Sequence, residues 1–106
     1  MAKFLVKASY TASGTKGLIQ EGGSSRKAAV EKAIQDLGGQ VEGFYYALGE
    51  TDAYVIIDVP DRITGVALSL AVNASGAVEL TTIPLVTMEE MDAACSKAVG
   101  YRPPGA

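Results

Sequence analysis

Histidine is missing from this chain, and cysteine occurs once, as Cys95. Without histidine the chain lacks the commonest general base near neutral pH, the commonest transition-metal ligand and the usual axial ligand of haem. A Ser-His-Asp or Cys-His mechanism is therefore excluded within one chain. A single cysteine excludes an internal disulfide and fits a reducing, cytoplasmic setting. Placed between Ala94 and Ser96, Cys95 reads as a small packing residue. No apolar run approaches the roughly 18 residues of a membrane helix, so no membrane partner is expected. The opening residues resemble a signal peptide, but Lys7 interrupts their apolar stretch and they read as a strand. The 9 Lys and Arg residues are scattered singly and the net charge is −3. Nucleic-acid binding needs a clustered basic face, so that partner is set aside. No carboxylate cluster has metal-ligand spacing, and no cofactor is expected.

What is present is enough for one ordinary core: 106 residues, 48% hydrophobic and 20% charged. Residues 3–10 alternate, with Phe4, Val6 and Ala8 on one face and Lys3, Leu5, Lys7 and Ser9 on the other, as in a strand. Thr15 is placed to cap a short helical turn that Gly22-Gly23 breaks. Ser24 or Ser25 then opens a longer helix carrying Val30, Ala33, Ile34 and Leu37. Residues 40–48 and 52–59 read as two strands joined by a tight connection at Gly49-Glu50-Thr51. Asp61 caps a helix with Ile63, Val66, Ala67, Leu70 and Ala71 at helical spacing. A strand over 77–86 follows, with Pro84 tolerable only near a sheet edge. Thr87 and Glu90 form a capping box opening a last helix through about residue 98. Residues 101–106 make a Pro-rich tail after a domain over 1–100.

The order βαββαβ plus a C-terminal helix predicts an α+β, ferredoxin-like domain, with the strands of residues 3–10 and 52–59 adjacent and parallel. Both helices then cover one sheet face. Tyr54, Ile56 and Asp58 face away from Ala53, Val55, Ile57 and Val59, while Phe44, Tyr46 and Leu48 lie opposite Tyr45. Both faces are too apolar for bare solvent, which predicts a homodimer, with higher assemblies of dimers open.

Candidate functional residues follow from this layout. Lys7 and Asp58 are expected to meet on the face away from the helices, either as groups with shifted pKa values or as a structural pair setting register. Tyr10, Tyr46 and Tyr54 combine apolar area with a hydroxyl and suit a pocket or an interface. Arg26 is a cation at a helix start, where the dipole opposes it, which suggests a role in holding a carboxylate or the adjoining loop. Asp52 follows the hairpin and is suited to accepting backbone N–H bonds or contacting a ligand. Gly22-Gly23 reads as a plain turn.

Ser9-Tyr10-Thr11, Gly17-Leu18, Gly22-Gly23, Arg26, Leu37-Gly38-Gly39, Tyr45, Gly49 to Asp52, Pro60-Asp61 and Pro84-Leu85 together resemble the GYD-domain proteins. The resemblance spans nearly the whole chain and implies a dimeric α+β barrel made from two sheets. Thr51 stands where the family's Gly-Tyr-Asp signature has its tyrosine. The resemblance implies no single activity: its wider group includes cofactor-free monooxygenases, isomerases, haem enzymes and plain binding proteins. The expected function is a small homo-oligomeric binding or assembly protein with a small-molecule pocket. The alternative is a cofactor-free enzyme acting on an aromatic or carbonyl compound. The missing histidines predict that elemental analysis of the purified protein finds no stoichiometric transition metal, and that its visible spectrum has no Soret band after dialysis.

Overall fold

The computed structural model describes residues 2–106. Four strands, β1 (Ala2–Tyr10), β2 (Gln40–Tyr46), β3 (Ala53–Val59) and β4 (Val78–Leu85), form one sheet in the order β2-β3-β1-β4. Four helices, α1 (Ala12–Glu21), α2 (Gly23–Asp36), α3 (Arg62–Ala74) and α4 (Met88–Cys95), complete the chain. This is the ferredoxin-like α+β arrangement with an added C-terminal helix.

All strand pairs are antiparallel, including β1 with β3, which corrects the parallel pairing expected above. The helical crossover makes β1 and β2 parallel, and the hairpin reverses the chain into β3. Having slid between them, β3 must run against both. Pro84 lies on β4, an edge strand, where its missing N–H costs no ladder bond on the outer side.

The core forms where Phe4 and Val6 of β1 and Val55, Ile57 and Val59 of β3 meet Ile34 of α2. Phe4 sits opposite Ile57, Val6 opposite Val55 and Ala8 opposite Ala53, so one pleat face of both central strands is apolar and buried.

Several boundaries differ from the sequence reading. Helix α1 begins earlier, because the Thr11 side chain, not Thr15, accepts from the Gly14 N–H. Gly22, at φ 85°, separates α1 from α2, a conformation costly for other residues. The β2–β3 connection spans 47–52, and Leu48 is fully exposed within it. On α3 the buried position is Gly65, while Ile63 and Leu70 are 71% and 67% exposed. The helix has turned its smallest residue to the sheet because Phe4 fills the space there. Residues 88–106 are all exposed, Cys95 among them, so the thiol is not a packing residue. The Thr87–Glu90 capping box is formed.

A Cβ added at Gly65 would stand 2.5 Å from the Phe4 ring, which is itself buried, so the ring would have to shift to admit it. Gly65→Ala should therefore destabilise the domain by about 1–3 kcal/mol, because overpacking outweighs a helix-propensity gain of about 1 kcal/mol. Urea unfolding followed by circular dichroism measures the difference.

Candidate functional site

The sheet divides the seven sequence candidates into two groups. Lys7, Tyr54 and Asp58 point to the open face. Tyr10, Arg26 and Tyr46 gather on the helix side, and Asp52 lies in the loop beside them.

On the helix side, α2 and α3 stand apart over the sheet and leave an apolar cavity of about 310 Å³. Its floor is Val6, Ala8, Ala53, Val55, Ile57 and Phe44; α2 contributes Ala29, Val30, Ala33 and Ile34, and α3 contributes Leu68 and Val72. The space follows from side-chain size. Ala8 and Ala53 are paired across the two central strands, and Ala29 and Ala33 lie one turn apart on α2. Four methyl groups stand where larger side chains would close the gap.

Tyr10 and Arg26 supply the polar groups in the cavity lining. Tyr10 ends β1, and its N–H donates to Asp52 Oδ2 at 2.8 Å. The Asp52 N–H in turn donates to the Ala8 carbonyl, and Ser9 Oγ donates to the Glu50 carbonyl. Asp52 therefore acts through Tyr10, holding the end of β1 against the hairpin loop. Thr51 is half-buried in that loop and does not line the cavity.

Tyr46 ends β2. Its hydroxyl donates to the Gly23 carbonyl at 2.9 Å, and its ring lies so close to Gly23 that a Cβ there would be 3.0 Å away. The ring also meets Phe44 edge-to-face, with centroids 5.1 Å apart. Burial pushes the Tyr46 hydroxyl above its ordinary 10.0; the neighbouring Tyr10 raises it further, and Arg26 pulls part of the way back. These influences place the three side chains in one cluster. Arg26 Nη1 stands 3.8 Å from Glu21 Oε2, near enough for attraction but too far for a hydrogen bond. Among the described residues the Arg26 guanidinium makes no hydrogen bond.

The polar groups of this cluster are hydrogen-bond donors. A tyrosine with a raised pKa stays protonated at neutral pH and donates hydrogen bonds, and arginine does not deprotonate. Neither is a base.

On the open face Lys7 sits opposite Tyr54 and Thr81, whereas Asp58 sits opposite Lys3. The expected Lys7–Asp58 pair is thus replaced by Lys3, four positions earlier, because antiparallel pairing reverses the register. Lys3 Nζ lies 3.1 Å from Asp58 Oδ2 and 2.8 Å from Glu42 Oε1. Glu42 reaches it because the β2–β3 register shifts between Val41 and Gly43, where Glu42 bulges from the ladder. Asp58 is buried, and its other oxygen, Oδ1, has no hydrogen-bond partner. Lys3 and Glu42 escaped sequence reasoning; correct strand polarity would have found Lys3, but nothing local marks the bulge.

A ferredoxin-like domain with an apolar cavity on its helix side, rimmed by two phenols and a guanidinium, is the class that fold and site define. The family model of the GYD domain matches residues 4–95, so the chain belongs to the GYD-domain family. No curated protein and no solved structure matches the chain.

Two expectations follow. Asp52→Ala leaves the Tyr10 N–H without its acceptor and should cost about 1–2 kcal/mol, whereas Asp52→Asn retains most stability. For the open-face triad, the hydrogen bonds that Lys3 donates to Glu42 first and Asp58 second hold its ammonium above its ordinary 10.5. A raised folded pKa means this stabilisation is present below 10.5 and is lost as pH rises past it. Tyr46 contributes a fall of the same sign. In urea titrations Lys3→Met should flatten part of the alkaline loss, and at neutral pH Lys3→Met and Asp58→Leu should each destabilise more than the two combined.

Proposed function

We propose that this protein is a non-catalytic binding domain that works as a homodimer and takes a small, largely apolar molecule into the cavity beneath α2 and α3. The cavity is the observation that carries the reading. Its volume of about 310 Å³ reaches the lower end of small-molecule sites, roughly 300–1,000 Å³. Its wall is apolar with polar groups gathered at one place, the usual division between affinity and orientation.

The enzyme alternative, a cofactor-free monooxygenase or isomerase type, draws less support. Acid–base work on an aromatic or carbonyl compound needs a group poised near neutral pH. Arg26, Tyr10 and Tyr46 offer donors and a fixed positive charge instead.

The homodimer rests on the open face. Tyr45, Tyr54, Ile56 and Ile83 lie exposed there beside Leu5, an apolar surface large for a free monomer. Joining two such faces about a two-fold axis buries them and makes the barrel implied by the family. The buried, unpartnered Asp58 Oδ1 lies on this same face. Further apolar residues lie exposed on α3 (Ile63, Val66 and Leu70) and separately on α4 (Met88 and Met91), and suit the joining of dimers.

Two measurements test the proposal. Light scattering should give at least twice the 10.9 kDa chain mass at all accessible concentrations, and a persistent monomer would remove the dimer. The neutral fluorescent probe N-phenyl-1-naphthylamine should bind about once per chain. Ala53→Leu, which fills the floor, should abolish that binding while the far-ultraviolet spectrum stays native. Unchanged probe binding in that folded variant would place the ligand elsewhere.

A further inference from the structure

We infer that the ligand of this cavity is an amphipathic anion, a carboxylate on a compact aromatic or medium-chain apolar body, with its head held by Arg26. The inference rests on the binding reading above and specifies the chemistry the site selects.

Among the described residues Arg26 is the only permanently charged one in the cavity lining, and its sign is positive. The lining elsewhere is aliphatic or aromatic except for Tyr10. The Arg26 side chain is 33% exposed, so the guanidinium sits where the apolar wall meets water, within reach of the head group of an entering ligand. The one neighbouring carboxylate, Glu21, stands at 3.8 Å and leaves the guanidinium donors unused. The fork geometry of arginine matches a carboxylate with two parallel N–H bonds.

Tyr10 and Tyr46 fit the same head group. Phenols that remain protonated serve as donors to an anion. Tyr46 already donates to the Gly23 carbonyl, so it acts mainly by fixing the rim. The Tyr10 hydroxyl adjoins that of Tyr46, and a hydrogen bond between the two phenols helps keep the Tyr46 proton in place. A cationic ligand would meet Arg26 across an apolar gap, with no carboxylate lining the cavity to receive it.

The cavity volume sets the body. At about 310 Å³ it holds a body of up to three compact rings, the size of the probe, or a chain of moderate length, and is too small for long-chain lipids. The fatty acid decanoate is a suitable probe, and 1-decanol is its uncharged counterpart.

The test is displacement of N-phenyl-1-naphthylamine from the full chain by each compound below its micelle concentration. Decanoate should displace the probe at a concentration about tenfold or more below that of 1-decanol, the difference a charge-assisted hydrogen bond makes. Arg26→Gln should erase that preference, and Arg26→Lys should restore part of it, since charge returns without the fork. Tyr10→Phe should reduce the preference by a smaller factor. Equal displacement by both compounds, or a preference that survives Arg26→Gln, would overturn the anion inference and leave the cavity reading standing. Failure of the probe and both compounds to bind the native protein would overturn the two together.

Discussion

Pairing of β1 with β3 through Phe4–Ile57, Val6–Val55 and Ala8–Ala53 is the contact on which the rest of the domain depends. These residues are buried and occupy the two central strands, so they set both the core and the floor of the cavity. Because side chains alternate along a strand, the same register sends Leu5, Lys7, Tyr54, Ile56 and Asp58 to the opposite face. A slip of one residue would exchange the two sets and expose the core. The gradient along this pairing also matters. It runs from a large aromatic at Phe4 to two alanines, so packing is tight near Gly65 and opens toward Tyr10.

That gradient explains why one sheet has two chemistries. Under α3 the Phe4 ring lies so close to Gly65 that a larger residue there would force it aside. Under α2 the alanines leave room, and the strand ends bring Tyr10 and Tyr46 to the edge of that room. The Asp52 carboxylate secures the end of β1, and Gly23 lets the Tyr46 ring approach the start of α2. The polar groups are thus held by backbone contacts from three elements rather than by a mobile loop. Across the sheet the arrangement is different: Lys3 balances Asp58 and Glu42, and the surrounding apolar residues lack cover.

Much of the fold was legible because its signals are local. The alternation Phe4-Val6-Ala8 against Lys3-Leu5-Lys7, the capping residues Asp61 and Thr87, and the breaks at Gly22 and Gly76 each act over a few residues. Tyr10 and Tyr46 stood out by residue type and Arg26 by its place at a helix start; Tyr10 and Arg26 line one cavity, beside Tyr46. Tyr54 was grouped with them by type alone, and the sheet separates it. The Lys7–Asp58 pairing failed because it rested on strand polarity, which depends on where β3 inserts. The exposed stripe on α3 misled for a related reason. Helical spacing marks an apolar face without saying which neighbour faces it, and Gly65 and Leu68 turned out to be residues that face the sheet.

By itself the sequence determined the element types, their order, and the want of any base or metal ligand of the histidine kind. These follow from residue identity and short-range spacing, which need no knowledge of the folded chain. The antiparallel register, the Lys3–Asp58–Glu42 triad, the gap between α2 and α3 and the gathering of Tyr10, Tyr46 and Arg26 were decided by tertiary structure. Each joins residues many positions apart, and their distances are set by how the helices seat on the sheet. That seating is governed by side-chain volume, the bulk of Phe4 at one end and the alanines at the other.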